Sequence, residues 1–176
     1  LLGIETPTRG QLLIDGEPAN SEYRQFKIRG IEGPNDFAMM HQVITRRFLR
    51  GLQEREDLAA LEPEARAAQA KRARFADFPD LIVIDGGKGQ LGAALDALRE
   101  LNLEEIPTLG LAKRLEEIFL EDQPDPILLD EDSPALHLLQ QIRDEAHRFA
   151  LNYHRKLRTK RQSRSALDEI EGVGPK

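Results

Sequence analysis

The chain of 176 residues contains no cysteine and no tryptophan, and aromatic residues make up only 5% of it. Without cysteine it can have neither a disulfide framework nor a thiolate metal site. No apolar run approaches the length that spans a membrane, and no signal-peptide pattern is visible. We therefore expect a cytoplasmic protein whose length is sufficient for one sizeable hydrophobic core.

The net charge of −6 argues against a uniformly basic nucleic-acid binder, but the charge is unevenly distributed. No acidic residue occurs between Arg148 and Arg164. Positive charges this close together repel each other unless counter-charges such as phosphates neutralise them. A contact with a nucleic-acid backbone is therefore predicted for the basic run, which consists of Arg155, Lys156, Arg158, Lys160 and Arg161. Part of this run could instead serve only to complement the dipole at a helix C-terminus.

A short apolar stretch followed by glycines is the most informative part of the chain. Residues 81–84 are apolar, Asp85 follows them, and Gly86-Gly87-Lys88-Gly89 comes next. This pattern predicts a strand buried on both faces, with Asp85 at its carboxyl end, where ligands bind in α/β folds. The glycines permit positive φ and a close approach to a ligand, and Lys88 offers a charge to a phosphate. A P-loop is excluded because no Ser or Thr follows Lys88. The alternative is a plain turn into a helix.

That helix is predicted over residues 90–101, and residues 107–113 form a second apolar strand. The order strand–helix–strand indicates a parallel βαβ unit, with Lys113 at the end of the second strand beside Asp85. Upstream, residues 11–14 are predicted to form a strand followed by an Asp15-Gly16 turn, and residues 22–29 form the second arm of the ribbon. Asp15 is interpreted as a turn residue rather than a catalytic one.

Two further helices are predicted on either side of this unit. The first begins at Asn35-Asp36 and extends to about Gly51, so Asp36 is either a residue suited to the helix dipole or a ligand. Residues 53–78 are treated as a helical insertion with two surface helices, residues 54–61 and 63–75. Its basic residues, Lys71, Arg72 and Arg74, form either a solvated face or a phosphate contact.

The last long helix begins at Ser133-Pro134 and is predicted to continue to about Lys160. His147 falls just outside its apolar stripe, on the same flank as Arg143 and His154. A side chain there can reach a site at the seam between helix and sheet. It can equally be a partly buried, hydrogen-bonded histidine.

Several stretches together resemble the C-terminal half of the UvrC family, the nuclease subunits of bacterial nucleotide excision repair. The resemblance covers residues 21–176, and its motifs are residues 23–28, 33–40, 79–91, 110–113 and 142–150. Residues 165–176 match the linker into the family's helix-hairpin-helix, which is truncated here. We accordingly divide the chain into residues 1–9, an endonuclease domain at 10–162 and a linker at 163–176.

This resemblance implies an α/β fold with an RNase H-like mixed sheet flanked by helices. It also implies a metal-dependent DNA endonuclease that cuts on the 5′ side of a lesion in damaged double-stranded DNA, within the SOS response. Mg²⁺ or Mn²⁺ is the implied cofactor, and UvrB, acting with UvrA in damage recognition, is the implied partner.

The same resemblance suggests roles for individual residues. Asp85 and His147 match metal ligands and catalytic residues of the family, and Asp36 matches a further acid near the site. Lys88 and Lys113 would steady the scissile phosphate. Nucleic-acid contacts are expected from these two lysines, from Arg143 and Arg148, and from the basic run.

One feature of the family is missing from the chain. The first catalytic aspartate should lie in a strand just before the first hairpin, but residues 1–9 lead directly into Gly10. We expect that about twenty residues are skipped there, because that strand opens an RNase H-like sheet. A non-catalytic module that binds DNA or a protein partner is therefore the main alternative. A nucleotide-binding α/β protein using Gly86–Gly89 is a third.

Overall fold

The domain is built on a strand–helix–strand unit, as predicted. The computed structural model describes residues 8–10, 13–14, 17–18, 24–26, 28–31, 33, 35–112, 116–146 and 148. Its strands are β1 (Thr8–Gly10), β2 (Leu13–Ile14), β3 (Glu17–Pro18), β4 (Arg24–Phe26), β5 (Ile82–Asp85), β6 (Thr108–Ala112) and β7 (Glu117–Phe119). Its helices are α1 (Asp36–Ala59), α2 (Pro63–Ala70), α3 (Lys88–Glu100) and α4 (residues 134–146).

The three-stranded sheet β5–β6–β7 is mixed. Strands β5 and β6 pair in parallel, with Ile82 opposite Thr108 and Asp85 opposite Leu111. Strand β7 pairs antiparallel with β6, and Ile118 also forms a bridge to Ile127. The parallel pair needs a crossover, which α3 provides. The predicted parallel unit and the mixed sheet flanked by helices are confirmed.

The two faces of this sheet pack against different helices. On one face, Ile84 lies in a buried cluster with Ile44 and Phe48 of α1 and with Ala94, Ala97 and Leu98 of α3. On the other face, Val83 packs against a second cluster, which contains Leu111 of β6 and Leu139 of α4. Alternation along a strand sends neighbouring side chains to opposite faces, so a strand covered on both sides reads as a continuous apolar run.

Helix α1 is longer than predicted, because it does not end at Gly51. The helix continues to Ala59, and Gly51 is buried within it. A Cβ on Gly51 would lie 2.4 Å from the Phe75 carbonyl oxygen and 2.5 Å from Phe78 Cε1. Glycine is present here because the chain after α2 packs directly onto the helix backbone, and the predicted helix end is wrong.

The segment after α2 is tied to α1 by polar contacts. Arg47 donates to the carbonyl oxygens of Phe75 at 2.8 Å and Asp77 at 3.1 Å. The buried carboxylate of Glu54 accepts the Phe75 amide at 2.7 Å and pairs with Arg50 at 2.8 Å. The predicted second surface helix also ends early, at Ala70 rather than at residue 75.

The N-terminal strands pair differently from the prediction. Strands β2 and β3 form the tight hairpin, with Ile14 opposite Glu17 and two residues between them. Strand β4 pairs with β1 instead, in a register that places Arg9 opposite Gln25. A two-residue turn requires its second arm to begin at once, so residues 22–29 cannot be that arm. Asp15 lies outside the described residues.

The last described helix begins as predicted. Helix α4 starts at Pro134, and the His137 amide bonds to the Ser133 carbonyl at 3.0 Å. The predicted extension of this helix to Lys160 lies outside the described residues. Among the described residues, no helix combines the length and apolar character needed to cross a membrane.

Candidate active site

Asp85 is the last residue of β5 and is exposed to solvent. Because side chains alternate along a strand, Asp85 lies on the same face as Val83. That face packs against Leu139 and Ile142 of α4. Sheet geometry therefore orients the carboxylate toward the side of the domain that α4 covers, and away from the side that α1 and α3 cover.

The glycines after Asp85 serve close packing rather than an unusual backbone conformation. The described glycines with positive φ are Gly30 and Gly33, so the predicted use of positive φ between residues 86 and 89 is wrong. A Cβ on Gly110 would lie 2.8 Å from the Gly86 carbonyl oxygen. A Cβ on Gly89 would lie 2.5 Å from the Phe37 ring. At Gly110 the neighbouring atom belongs to the backbone and cannot turn aside, whereas the exposed Phe37 ring beside Gly89 can.

The spacing Gly87-x-Gly89-x-x-Gly92 also matches a dinucleotide-binding fingerprint, Gly-x-Gly-x-x-Gly, so the expectation that the chain lacks this fingerprint is wrong. In that fingerprint the second glycine lets a pyrophosphate approach and the third packs helix against strand. Here the Phe37 ring fills the space beside Gly89, and Gly92 has nothing within 4 Å of an added Cβ. These contacts argue against the nucleotide-binding alternative.

Lys88 is the first residue of α3 and is held on the opposite face of the sheet from Asp85. Its Nζ donates to the Pro124 carbonyl oxygen and lies 5.8 Å from the centroid of the Phe119 ring. Phe119 pairs with Gly110 and shares its face, where a Gly110 Cβ would meet Leu91 of α3. To reach a phosphate beside Asp85, Lys88 would have to leave this position.

The start of α1 lies beside the start of α3, because Phe37 contacts Gly89. The Asn35 side chain accepts a hydrogen bond from the Ala38 amide at 3.0 Å, which confirms the predicted cap. Asp36 is exposed in the first turn, where a carboxylate suits the helix dipole. Asp36 therefore lies near the end of β5, on the side of the sheet that α1 covers. Asp85 faces the opposite side, which α4 covers.

Arg143 is paired within the protein. Its guanidinium bonds to Glu116 at 2.5 Å and to Asp144 at 3.2 Å, and only 11% of its side chain is exposed. The hydrogen bond to Glu116 raises the pKa of Arg143 above its ordinary value, although burial acts in the opposite direction. This geometry favours an intramolecular role over the predicted phosphate contact.

The remaining predicted site residues are only partly visible. Arg148 is exposed and pairs with Glu145 at 2.5 Å. Lys113, His147 and the basic run lie outside the described residues. Within the part of the chain that is described, no three Asp, Glu or His side chains form a group that could hold a metal ion.

Sequence reasoning missed Glu116 and the contact between Phe37 and Gly89. Glu116 has a φ of 53° and lies just before β7. Its partner Arg143 is 27 residues away along the chain. No local pattern connects two such positions, so only the folded structure could identify the pair.

A family model described as the UvrC RNase H endonuclease domain matches residues 12–151. The UvrABC system protein C of Gloeobacter violaceus is 50% identical over 177 residues, which cover 98% of this chain and 25% of that protein. The protein of the same name from Prosthecochloris aestuarii is 52% identical over 163 residues, which cover 93% and 23%. The chain thus spans about a quarter of the length of these relatives.

The alignment with the Gloeobacter protein also bears on the expected omission near the N-terminus. It extends over 177 residues for a chain of 176, so it contains no internal gap of the expected size. This argues against residues having been skipped between Arg9 and Gly10. The matched model and the α/β architecture agree with the RNase H-like fold, and the chain belongs to the UvrC family.

Proposed function

We propose that this chain is the catalytic core of a metal-dependent DNA endonuclease that acts in nucleotide excision repair. The observation that carries the proposal is the position of Asp85, an exposed carboxylate at the carboxyl end of a strand that pairs in parallel with β6. This is the position where α/β folds place their ligands. The names of the relatives, which belong to the UvrABC system, support the pathway.

The donor chemistry of Asp85 suits Mg²⁺ or Mn²⁺, because both ions prefer hard oxygen ligands. The described residues supply this one ligand at the end of β5. We propose His147 as a second ligand, since it follows the described end of α4, the helix that covers the Asp85 face. Asp36, on the other side of the sheet, is the weaker candidate.

In the proposed reaction, a water molecule attacks the phosphorus of the scissile phosphate. The bond from that phosphorus to the sugar oxygen on its 3′ or 5′ side breaks, and this oxygen leaves. A bound metal ion would offset charge in the transition state and lower the pKa of the water. Asp85 would orient that water through its free carboxylate oxygen. His147 would take or deliver the proton if it does not ligate the metal.

We further propose a substrate and partner proteins for this reaction. The substrate is double-stranded DNA, cut on the 5′ side of a lesion, and the partners are UvrB and, through it, UvrA. The basic run, Lys113 and Arg148 would contact the phosphate backbone, with the sequence-independent, salt-sensitive binding that such contacts produce. Arg143 is left out of this group because Glu116 occupies it.

A nicking assay on a duplex with one defined lesion tests the proposal. The complete protein, its UvrA and UvrB partners and Mg²⁺ or Mn²⁺ should give one cut 5′ to the lesion. Asp85→Asn and His147→Ala should each abolish that cut while DNA binding stays within twofold. Asp80→Asn is the matched control, because Asp80 is an exposed aspartate that precedes the other end of β5 by two residues.

The outcomes separate the two readings of this chain. A wild-type protein that binds the duplex but never cuts it with either metal would support a non-catalytic binding module. An Asp85→Asn variant that cuts at the wild-type rate would refute the role of this residue. Loss of cutting in the Asp80→Asn control would mean that the assay reports folding and not chemistry.

A further inference from the structure

The connection between β6 and β7 ends at a residue in a strained backbone conformation. Glu116 has a φ of 53°, which glycine adopts readily and other residues adopt at a cost. Among the described residues, only Asn102 shares this feature without being glycine. Asparagine is one of the few residue types that tolerate the left-handed region, but glutamate is not. Something must therefore compensate for glutamate at position 116.

The compensating contact is the ion pair with Arg143. The Arg143 guanidinium donates to the Glu116 carboxylate at 2.5 Å, and 11% of the arginine and 28% of the glutamate side chain is exposed. Asp144 accepts a second and third donor of the same guanidinium at 3.2 Å. A half-buried pair of this geometry is far less screened than one on the surface, so removing one partner leaves an uncompensated charge.

This pair lies at the edge of the sheet where Asp85 lies. Strand β7 begins at Glu117, which is opposite Ala112 at the carboxyl end of β6. On the other side of β6, Asp85 is opposite Leu111. The pair thus joins α4 to the sheet one strand away from the proposed metal ligand.

We propose that Arg143 and Glu116 are positioning residues, which hold α4 against the β6–β7 connection and so fix the helix that covers the Asp85 face of the sheet. The inference rests on the proposed nuclease function. It gives Arg143 a role inside the protein, where the sequence suggested a contact with DNA.

The location of the pair explains why it would act on catalysis. The pair ties α4 to the residue before β7, and α4 covers the sheet face on which Asp85 lies. A displacement of about 1 Å in a reacting constellation can reduce a rate about 100-fold without touching the substrate. The ion pair between α4 and the β6–β7 connection therefore controls the geometry around Asp85, although neither Arg143 nor Glu116 contacts that residue directly.

Incision kinetics of the complete protein, with its partners and Mn²⁺, test the inference. We expect Glu116→Gln and Arg143→Gln to lower kcat at least tenfold, while KM and the DNA Kd stay within twofold. The double variant should fall no further than the worse single variant, because both changes break the same contact. Arg99→Gln is the matched control, since it breaks an exposed pair with Glu121 at the far end of α3.

A second set of variants separates positioning from strain. Glu116→Ala keeps the strained conformation and loses the carboxylate, whereas Glu116→Gly loses both. Glu116→Gly should therefore be the more stable protein of the two in thermal unfolding. Its kcat should nevertheless stay as low as that of Glu116→Ala. Recovery of kcat in Glu116→Gly would overturn the inference, because it would show that the ion pair is not required.

Comparison of the variants with wild type also distinguishes the positioning role from a DNA contact of Arg143 and from failure of the proposed function. If Arg143→Gln weakens DNA binding and lowers its salt dependence while Glu116→Gln changes nothing, Arg143 contacts phosphate and the inference is wrong. If wild type cuts and both variants cut equally well, the inference fails but the proposed function stands. If wild type itself does not cut, the proposed function fails, and that result is distinct from the first two.

Discussion

Replacing Gly110 with alanine should disturb the strand end that carries Asp85. An added Cβ would lie 2.8 Å from the Gly86 carbonyl oxygen, 3.4 Å from Leu91 Cβ and 3.6 Å from Phe119 Cβ. The first of these atoms belongs to the backbone just after Asp85, and the Gly86 amide is tied to the Leu111 carbonyl at 3.1 Å. Because the backbone cannot rotate away as a side chain could, the connection itself must shift.

The magnitude follows from two opposing terms. Overpacking a filled site costs about 1–3 kcal/mol, and replacing glycine gains about 0.4–1 kcal/mol through the unfolded chain. We expect Gly110→Ala to lower the free energy of unfolding by about 1–2 kcal/mol. Because the shift displaces Asp85, kcat for incision should also fall at least tenfold, with DNA binding unchanged.

Urea unfolding and the nicking assay measure the two effects. Gly92→Ala is the control, because an added Cβ there meets nothing within 4 Å and the residue lies inside α3. Helix propensity should make that variant more stable by up to about 1 kcal/mol. If Gly110→Ala is as stable as wild type and cuts at the same rate, the close packing of Gly110 against the Gly86 carbonyl oxygen is refuted.

Three further changes test other parts of the structure. Gly51→Ala should destabilise the protein by about 1–3 kcal/mol despite the higher helix propensity of alanine, because its Cβ would overlap the Phe75 carbonyl; a higher unfolding midpoint would contradict the packing of this segment on α1. Glu54→Ala should cost about 1–3 kcal/mol by removing the buried carboxylate that accepts the Phe75 amide; exposed Glu56→Ala should be neutral in the same melt. Alanine at four positions of the basic run should reduce the salt dependence of DNA binding; the positions are Arg155, Lys156, Arg158 and Lys160. An unchanged slope of log Kd against log salt concentration would refute the contact between this run and DNA.

The agreement between sequence and structure is best where the pattern is local. Residues 82–85 and 108–112 are strands, and residues 88–100 are a helix, because continuous apolar runs and a 3.6-residue period are read over a few neighbours. The Asn35 cap and the Pro134 helix start are equally local signals. These elements suffice to predict the βαβ unit and Asp85 at its edge.

The errors occur where a glycine or a strand has a distant partner. Gly51 looked like a helix end, but it is the point where residues 75 and 78 pack onto α1. Strand β4 looked like the partner of the first hairpin arm, but it pairs with β1. In each case the sequence pattern was consistent with either structure, and contacts between distant segments selected one of them.

By itself the sequence determined the family, the α/β class and the candidacy of Asp85, since each depends on residue types in a short, ordered pattern. Only the tertiary structure decided which face Asp85 occupies, what packs against Gly89 and Gly110, and where Arg143 finds its partner. The physical reason is range. Propensity and periodicity act between neighbours, whereas packing and ion pairing depend on which distant residues the fold brings within a few ångströms.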